Sequence, residues 1–462
     1  MSNTRVEKDS LGEVEVPAEA LWGAQTQRAV DNFPVSGRQL PIAFIHAIVR
    51  IKRCAALVNQ RLDLLDSNRG HAIVEACDQL LAGAHEDQFP VDIYQTGSGT
   101  STNMNVNEVI ATLASRHSPE AVNPNDHVNM SQSSNDVIPT AIHLSSVLAV
   151  EESLLPALTH LQEIIAQREK ETAQWVKTGR THLMDAMPVT VAQELRTWRE
   201  QLTGVQRRLE HAVDDLLPIP QGGTAVGTGI NAHPDFAQEF ADELSHLCGQ
   251  NFLPLDHKFT AQSGIDAPVA LSGQLRGLAV VLTKIANDLR WMNSGPIHGL
   301  AEISLPALQP GSSIMPGKVN PVIPESVAMA AAQVMGLDSS VAFAGQSGNF
   351  QLNVMLPLVA NNLLEMIQLL SNASLILGDK AFANLTVNQD HLAEAVGRNP
   401  VLVTALNPVI GYAKAADVAK QAYREGRAII DVAEEQTDLS RDELEKLLDP
   451  IKLTQGGLPD QS

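Results

Sequence analysis

Residues 271–292 read LSGQLRGLAVVLTKIANDLRWM, and their spacing decides the fold class. Leu271, Leu275, Leu278, Leu282, Ile285, Leu289 and Met292 recur three and four residues apart, which puts them on one face of an α-helix. Residues 141–172 repeat the pattern through Ile142, Val147, Leu148, Leu154, Leu155, Leu158, Leu161, Ile164 and Ile165, with a kink expected at Pro156. The segments at 190–217 and 356–378 look alike, and a shorter example begins after Pro41 with Ile42, Ile45, Ile48 and Val49. Residues 1–40 are polar with little periodicity, no strong strand alternation is visible, and no internal repeat stands out. The reading is a mostly α protein built on a bundle of long helices.

Composition agrees with that reading. Aromatic residues make up only 4% against 44% hydrophobic, so a core for 462 residues must come from Leu, Val, Ile, Ala and Met. Such residues suit helix-on-helix packing better than a β-sandwich. The formal charge is −21, from 53 acidic and 32 basic residues, a field that repels nucleic acid and anionic membranes. The same field repels any anionic substrate, so an anion site has to be assembled from local donors. Cys54, Cys77 and Cys248 are too few and too scattered for a disulfide framework. No Cys-x-x-Cys or His-Glu-x-x-His pattern offers a metal site, and neither metal nor cofactor is expected. The N-terminal MSNTRVEKDSLGEVEVP has no apolar signal-peptide run, and no apolar stretch approaches the ~20 residues of a membrane span. A reduced, soluble, cytoplasmic protein is the expectation.

Four Gly-, Ser- and Asn-rich loops interrupt the helical background, each read as preceding a helix. They are Thr96-Gly-Ser-Gly-Thr-Ser-Thr-Asn103, Ser131-Gln-Ser-Ser-Asn-Asp136, Gly179-Arg-Thr-His-Leu183 and Gly311-Ser-Ser-Ile-Met-Pro-Gly-Lys-Val-Asn-Pro321. The third is followed, after Pro188, by a helix opening near Thr190, and the fourth by a helix that Pro324 helps to begin. Helix N-termini carry free N–H groups and a positive dipole end, and hydroxyl and amide side chains add donors. Arg180 and Lys318 add positive charge. Loops of this kind converging on one point would hold a molecule with two carboxylates. Ser, Thr and Asn are also ordinary N-caps, and capping alone explains the first two loops equally well. The glycine loop Gly222–Gly229 follows no clear strand, which excludes a dinucleotide-binding reading.

The fourth loop resembles the signature of the fumarase/aspartase superfamily over eleven consecutive residues. The other loops match that superfamily in the same order, over essentially the whole chain. Gly179-Arg-Thr-His182, Gly223-Thr-Ala-Val-Gly-Thr-Gly-Ile-Asn231 and Ser347-Gly-Asn-Phe-Gln-Leu-Asn353 look like class II fumarase in particular. The resemblance implies an N-terminal domain (1–138), a central helical-bundle domain (139–395) and a small C-terminal domain (396–462). The polar stretch near 380–400 suits the second boundary, and an acidic helix-like segment at 426–448 falls in the last domain. It also implies a homotetramer whose active sites are each shared between three subunits.

For chemistry, the resemblance implies reversible hydration of fumarate to (S)-malate in the tricarboxylic acid cycle, without metal. Ser312 is the implied base, acting in ionised form, and His182 paired with Glu325 the implied acid. Ser98, Gly99, Thr100, Ser133, Ser134, Asn135, Thr181, Ser313, Lys318, Val319 and Asn320 are the implied substrate-binding residues. A peripheral anion site that often carries His-Pro-Asn-Asp here reads Asn123-Pro124-Asn125-Asp126, with Glu120 where a basic residue is common. That departure puts anion binding there in doubt. Gly295-Pro-Ile-His-Gly299 departs from the Arg-Cys pair common at that point. The rival readings are an aspartate ammonia-lyase, a hydratase of a related dicarboxylate such as mesaconate, and a non-enzymatic binding protein. Intact Ser312, His182, Lys318 and Asn320 argue against the last.

Overall fold

In the computed structural model, which describes residues 4–457, the spacing of residues 271–292 becomes one helix, Asp266–Met292. Leu271, Leu275, Leu278, Leu282, Ile285 and Leu289 are fully buried and Met292 is 4% exposed, so the apolar stripe is the core face. The other expected long helices form as Val191–Asp214, Leu356–Lys380, and the pair Ser134–Ala149 and Leu155–Glu171. Between the last two, Val150–Leu154 takes a π-helical turn just ahead of Pro156. Pro156 has no N–H to donate, which is the physical origin of irregularity expected there. Residues 1–3 and 458–462, the outer limits of the expected terminal domains, lie outside the described residues.

Several readings are corrected. Residues 1–40 do hold regular structure: an antiparallel hairpin, Thr4–Asp9 with Gly12–Pro17, and a helix, Ala24–Asn32. Five two-stranded sheets occur among the described residues. In the strand Thr4–Asp9 charges occupy both faces and Val6 is exposed, so only Val14 and Val16 of the second strand alternate with charges, too short a run to stand out. The polar stretch near 380–400 contains the helix Gln389–Arg398, anchored by Leu392 and Val396. The acidic segment at 426–448 is two helices, Ile429–Gln436 and Arg441–Leu447. Ser440 and Glu443 cap the second reciprocally and so stop the first from running on. Finally, Ser134–Glu171, Asp266–Met292 and Val322–Gly345 are long and apolar enough to cross a membrane, with mean hydropathies of 1.3, 1.3 and 1.4. Scattered Ser, Gly and Gln break each run to the eye, while Leu, Val and Ala keep the average high.

The chain divides into two units. The first comprises 1–156, 205–279 and 331–371. Its core includes Phe44, Ile48, Ile51, Ile73, Val109, Ile110, Ile138 and Ile142, all at most 1% exposed. Asp338 ties two of its helical segments together, accepting from Ser272 Oγ at 2.6 Å and Arg276 Nη1 at 2.7 Å. The second comprises 157–204, 280–330 and 372–462. Its C-terminal helices bury Val396, Leu402, Leu406, Val418, Val432 and Leu444 in one apolar cluster, and Trp198 meets Phe382 edge-on at 5.8 Å.

His143 sits in the core of the first unit, with Nδ1 2.9 Å from Leu216 O and 3.0 Å from Pro218 O. Burial pushes its pKa down to about 4, against the two carbonyls that favour a proton. The folded value lies below the unfolded one, so the stabilisation is complete above about pH 6.5 and is lost as pH falls toward 4. Unfolding free energy measured by denaturant titration should therefore fall across that range. In His143→Gln the slope should be shallower by one proton's worth, about 1.4 kcal/mol per pH unit. An unchanged slope would place the titration elsewhere.

Candidate active site

In the first unit, two helix N-termini meet through hydroxyl groups. The helix Thr100–His117 starts inside the first loop, with Gly99 at φ 73° before it. At Gly97 a Cβ would lie 1.8 Å from Val354 O, and Leu356 N donates to Gly97 O at 3.0 Å, so the loop lies flat against the 354–356 segment. Ser98 Oγ and Thr100 Oγ1 are 2.8 Å apart, and Thr100 Oγ1 and Ser134 Oγ 2.7 Å. This chain of three hydroxyls joins the first loop to the second.

The second loop is both a cap and a donor cluster. Ser133 Oγ accepts from Asn135 N at 3.2 Å, and Asp136 Oδ1 accepts from Ser133 N at 2.9 Å. Asp136 Oδ2 also accepts from Gly222 N at 3.0 Å and Thr224 N at 2.8 Å, and Asn135 Nδ2 donates to Ala225 O at 2.8 Å. The glycine loop is therefore structural support for the second loop. Burial pushes the Asp136 pKa up to about 6 against these N–H donors and Lys52, which favour the carboxylate. Sequence reasoning missed Asp136 as a support, although Ser133-x-x-Asp136 has capping-box spacing.

In the second unit, the third loop is corrected from a helix N-terminus to a β-turn. Strands Val176–Thr181 and Met184–Thr190 pair with Thr181 opposite Met184, leaving His182 and Leu183 as a two-residue turn. Their φ values are 55° and 61°, the type I′ geometry that favours Asn-Gly. Residues with side chains held there cost about 1–3 kcal/mol each. Thr181, His182 and Leu183 are exposed at this tip. Below it, buried Glu302 pairs with Arg180 Nη1 and Lys177 Nζ, each at 2.5 Å. The expected helix then opens after Thr190, which is paired reciprocally with Gln193.

The fourth loop closes on itself. A Cβ on Gly311 would lie 1.8 Å from Lys318 O, and Asn320 Nδ2 donates to Gly311 O at 2.7 Å. Within it Ser312 Oγ accepts from Met315 N at 3.0 Å and Ile314 N at 3.3 Å, two donors that would stabilise negative charge on that oxygen. Lys318 Nζ donates to Asn320 Oδ1 at 2.5 Å. Ser313, Lys318 and Val319 are exposed, Ser312 and Asn320 half-buried. The helix Val322–Gly345 follows, with Glu325 in its first turn. A cavity of about 440 Å³ is lined by Lys318, Val319, Asn320 and Glu325 together with Asn287 and Arg290, which the sequence reading did not single out.

Among the described residues, no hydrogen bond or ion pair joins His182 to Glu325. The Asn123–Asp126 segment forms a π-helical turn, Pro124–Val128, in which Asn123 Oδ1 takes up Asn125 N at 2.8 Å and Asp126 N at 3.0 Å. Glu120 forms an ion pair with Arg69.

Long helices interrupted by hydroxyl- and glycine-rich loops, one with a serine held by backbone N–H groups, agree with the helical lyases that the chain matches. A family model described as Lyase matches residues 12–336, and one described as Fumarase C C-terminus matches residues 402–455. The chain is 61% identical to fumarate hydratase class II 2 of Pseudomonas aeruginosa, over 99% of this chain and 100% of that one. It is 56% identical to fumarate hydratase class II of Xylella fastidiosa, over 99% and 98%. The crystal structure of class II fumarase from Schistosoma mansoni superposes with a TM-score of 0.94 at 38% identity, covering 98% of this chain and 99% of that one. The chain belongs to the class II fumarate hydratases of the lyase family.

The buried Lys177–Glu302–Arg180 group holds the base of the His182 turn, and removing one member leaves uncompensated charge. Glu302→Ala should cost about 3–5 kcal/mol of stability, measured by denaturant unfolding. A change within experimental error would show that the group is not a structural anchor.

Proposed function

We propose that this protein hydrates fumarate reversibly to (S)-malate, with Ser312 as base. The observation that carries the reading is the Ser312 Oγ, held by two backbone N–H groups in the loop that also carries Lys318 and Asn320. In the malate-to-fumarate direction, the Ser312 alkoxide takes a proton from the carbon next to one carboxylate. The C–H electron pair moves into that carboxylate, giving a doubly charged intermediate. Lys318 and Asn320, now paired with each other, would turn to this carboxylate with a charge-assisted and an amide hydrogen bond. The electron pair then forms the double bond as the C–O bond breaks, and His182, with Glu325 as its partner in the acid pair, delivers the proton that makes the leaving group water. Ser98, Thr100, Ser133, Ser134 and Asn135 hold the remaining polar groups, with Thr181 and Ser313 beside them; Gly99 and Val319 contribute backbone.

The same proposal includes a homotetramer with each active site shared between three subunits. One observation supports it. The apolar helix Val322–Gly345 has only 33% of its most apolar window buried, with Met329 and Phe343 each 69% exposed. The division at 138 and 395 belongs to the proposal too, supported at its C-terminal end by the separate apolar cluster from Val396 to Leu448. So does the cytoplasmic location. A peripheral anion site at Asn123–Asp126 would have to use side chains, because the cap oxygen of Asn123 already holds two of its N–H groups.

Ser312→Ala should fold normally and lose at least ~100-fold in turnover, the low end for a positioned acid–base group. Near-normal activity in a folded variant would remove Ser312 from the mechanism. The ammonia-lyase reading shares the base and the carboxylate donors, so discrimination lies on the acid side. Hydroxide leaves poorly unless protonated, whereas ammonium leaves already protonated. With His182 and Glu325 in place, fumarate should give malate, followed as loss of double-bond absorbance, and added ammonium should yield little or no aspartate. Ready aspartate formation without malate would replace this reading with the rival.

A further inference from the structure

Lys52 lies on the helix Ile42–Arg61 and is fully buried, yet among the described residues no ion pair joins it to a carboxylate. Its ammonium donates to two neutral amide oxygens, Asn129 Oδ1 at 2.8 Å and Gln132 Oε1 at 3.0 Å. A buried charge with no counter-charge bonded directly to it costs several kcal/mol, and an apolar side chain of similar length would make the more stable core. The position therefore carries something other than packing.

Its partners lead to both donor loops of the first unit. Asn129 Oδ1 also accepts from Asn103 Nδ2 and Asn107 Nδ2, each at 3.2 Å. Those residues sit one turn apart on the helix whose first residue is Thr100. Asn103 and Asn107 leave their own Oδ1 atoms buried without a partner, so donation to Asn129 outweighs satisfaction of those oxygens. On the other side Asn129 Nδ2 donates to Gln132 O at 3.2 Å, and Gln132 Nε2 to Val128 O and Met130 O at 3.1 and 3.0 Å. Gln132 directly precedes Ser133, Ser134 and Asn135. A single cation thus links the supports of Ser98–Thr100 and of Ser133–Asn135 through two amide oxygens, Asn129 Oδ1 and Gln132 Oε1.

We propose that Lys52 is a positioning residue for dicarboxylate binding: it sets the spacing of the two donor loops and places positive charge behind their hydroxyl groups. This rests on the dicarboxylate reading given above. It answers the problem posed by a net charge of −21, because a cation walled off from solvent keeps its field unscreened. The groups acting on it are Asp136, from the helix Ser134–Ala149, and Cys77, from Ser67–Leu81. Burial holds Cys77 as a thiol. The helix Phe236–Cys248 directs Glu239 and Glu243 to Arg61 instead. Burial pushes the Lys52 pKa down to about 7, against the Asp136 carboxylate, so the charge is lost as pH rises through that value.

The test uses the full-length protein and succinate, an unreactive dicarboxylate, with calorimetric Kd, alongside fumarate kinetics. At pH 6.5 Lys52→Met should weaken succinate binding and raise KM roughly tenfold, as displacement of a donor loop would, with a smaller change in kcat. The wild-type loss of succinate affinity from pH 6.5 to 8.5 should be absent in the variant. Unchanged Kd and KM would overturn the proposal. Should Lys52→Met not fold, the same pH titration in His182→Asn decides: affinity falling through about pH 7 supports it, and a flat profile overturns it. Wild-type protein that binds succinate but forms no malate refutes hydration and leaves the Lys52 comparison readable. Wild-type protein that binds neither dicarboxylate overturns both.

Discussion

Binding a dianion within a chain of formal charge −21 is the constraint on which the site's construction depends. Long-range electrostatics oppose the substrate, so attraction has to come from short-range donors whose charge is not screened or cancelled. The fold meets this with helix N-termini, hydroxyl side chains and backbone N–H groups, each held by a buried polar support. Thr100 and Ser134 share a hydroxyl contact at 2.7 Å, and behind Ser134 the Asp136 carboxylate gathers N–H groups from Ser133, Gly222 and Thr224. Such a network fixes the donors before any ligand arrives, which lowers the cost of ordering them on binding.

Those supports are themselves expensive. Asp136 and Lys52 are both fully buried, and burial raises the one pKa and lowers the other. Backbone N–H groups gather on the Asp136 carboxylate, and two amide oxygens accept from Lys52. The second unit uses the opposite arrangement. Glu302 is paired with both Lys177 and Arg180, and Lys177 also with Glu194, so two carboxylates balance two cations and the group is left to hold the His182 turn in place. The turn then sustains positive φ at two residues with side chains, a strain that an unsupported hairpin tip would relieve by changing its turn type.

Much of this was legible in the sequence. The helical period of residues 271–292 determined which seven side chains would be buried, because a 3.6-residue repeat leaves one face for the core. The string Gly311–Pro321 marked its loop, since Gly311 admits no Cβ against Lys318 O and Asn320 must reach back to Gly311. The Asn123–Asp126 departure was legible as well, and the structure shows its cap oxygen spending itself on local N–H groups. The first hairpin was not legible, because its strand Thr4–Asp9 puts charges on both faces and leaves only Val14 and Val16 of its partner to signal a buried side.

What the sequence by itself determined was local: helical faces, the composition of the core, and the loops whose residue types resemble a known lyase. What only tertiary structure decided was which polar residues are buried, and against what. Lys52 stands among Ile48, Ile51 and Ala55 on an apolar face, yet its meaning depends on Asn129, 77 residues away. Asp136 reads as an N-cap until Gly222 and Thr224 arrive from 86 and 88 residues further on. His182 reads as loop until strand pairing leaves it one of two residues in a turn. The reason is the same in each case. A hydrophobic period is a property of neighbours along the chain, whereas the energy of a buried charge is set by whichever distant donors folding brings within about 3 Å.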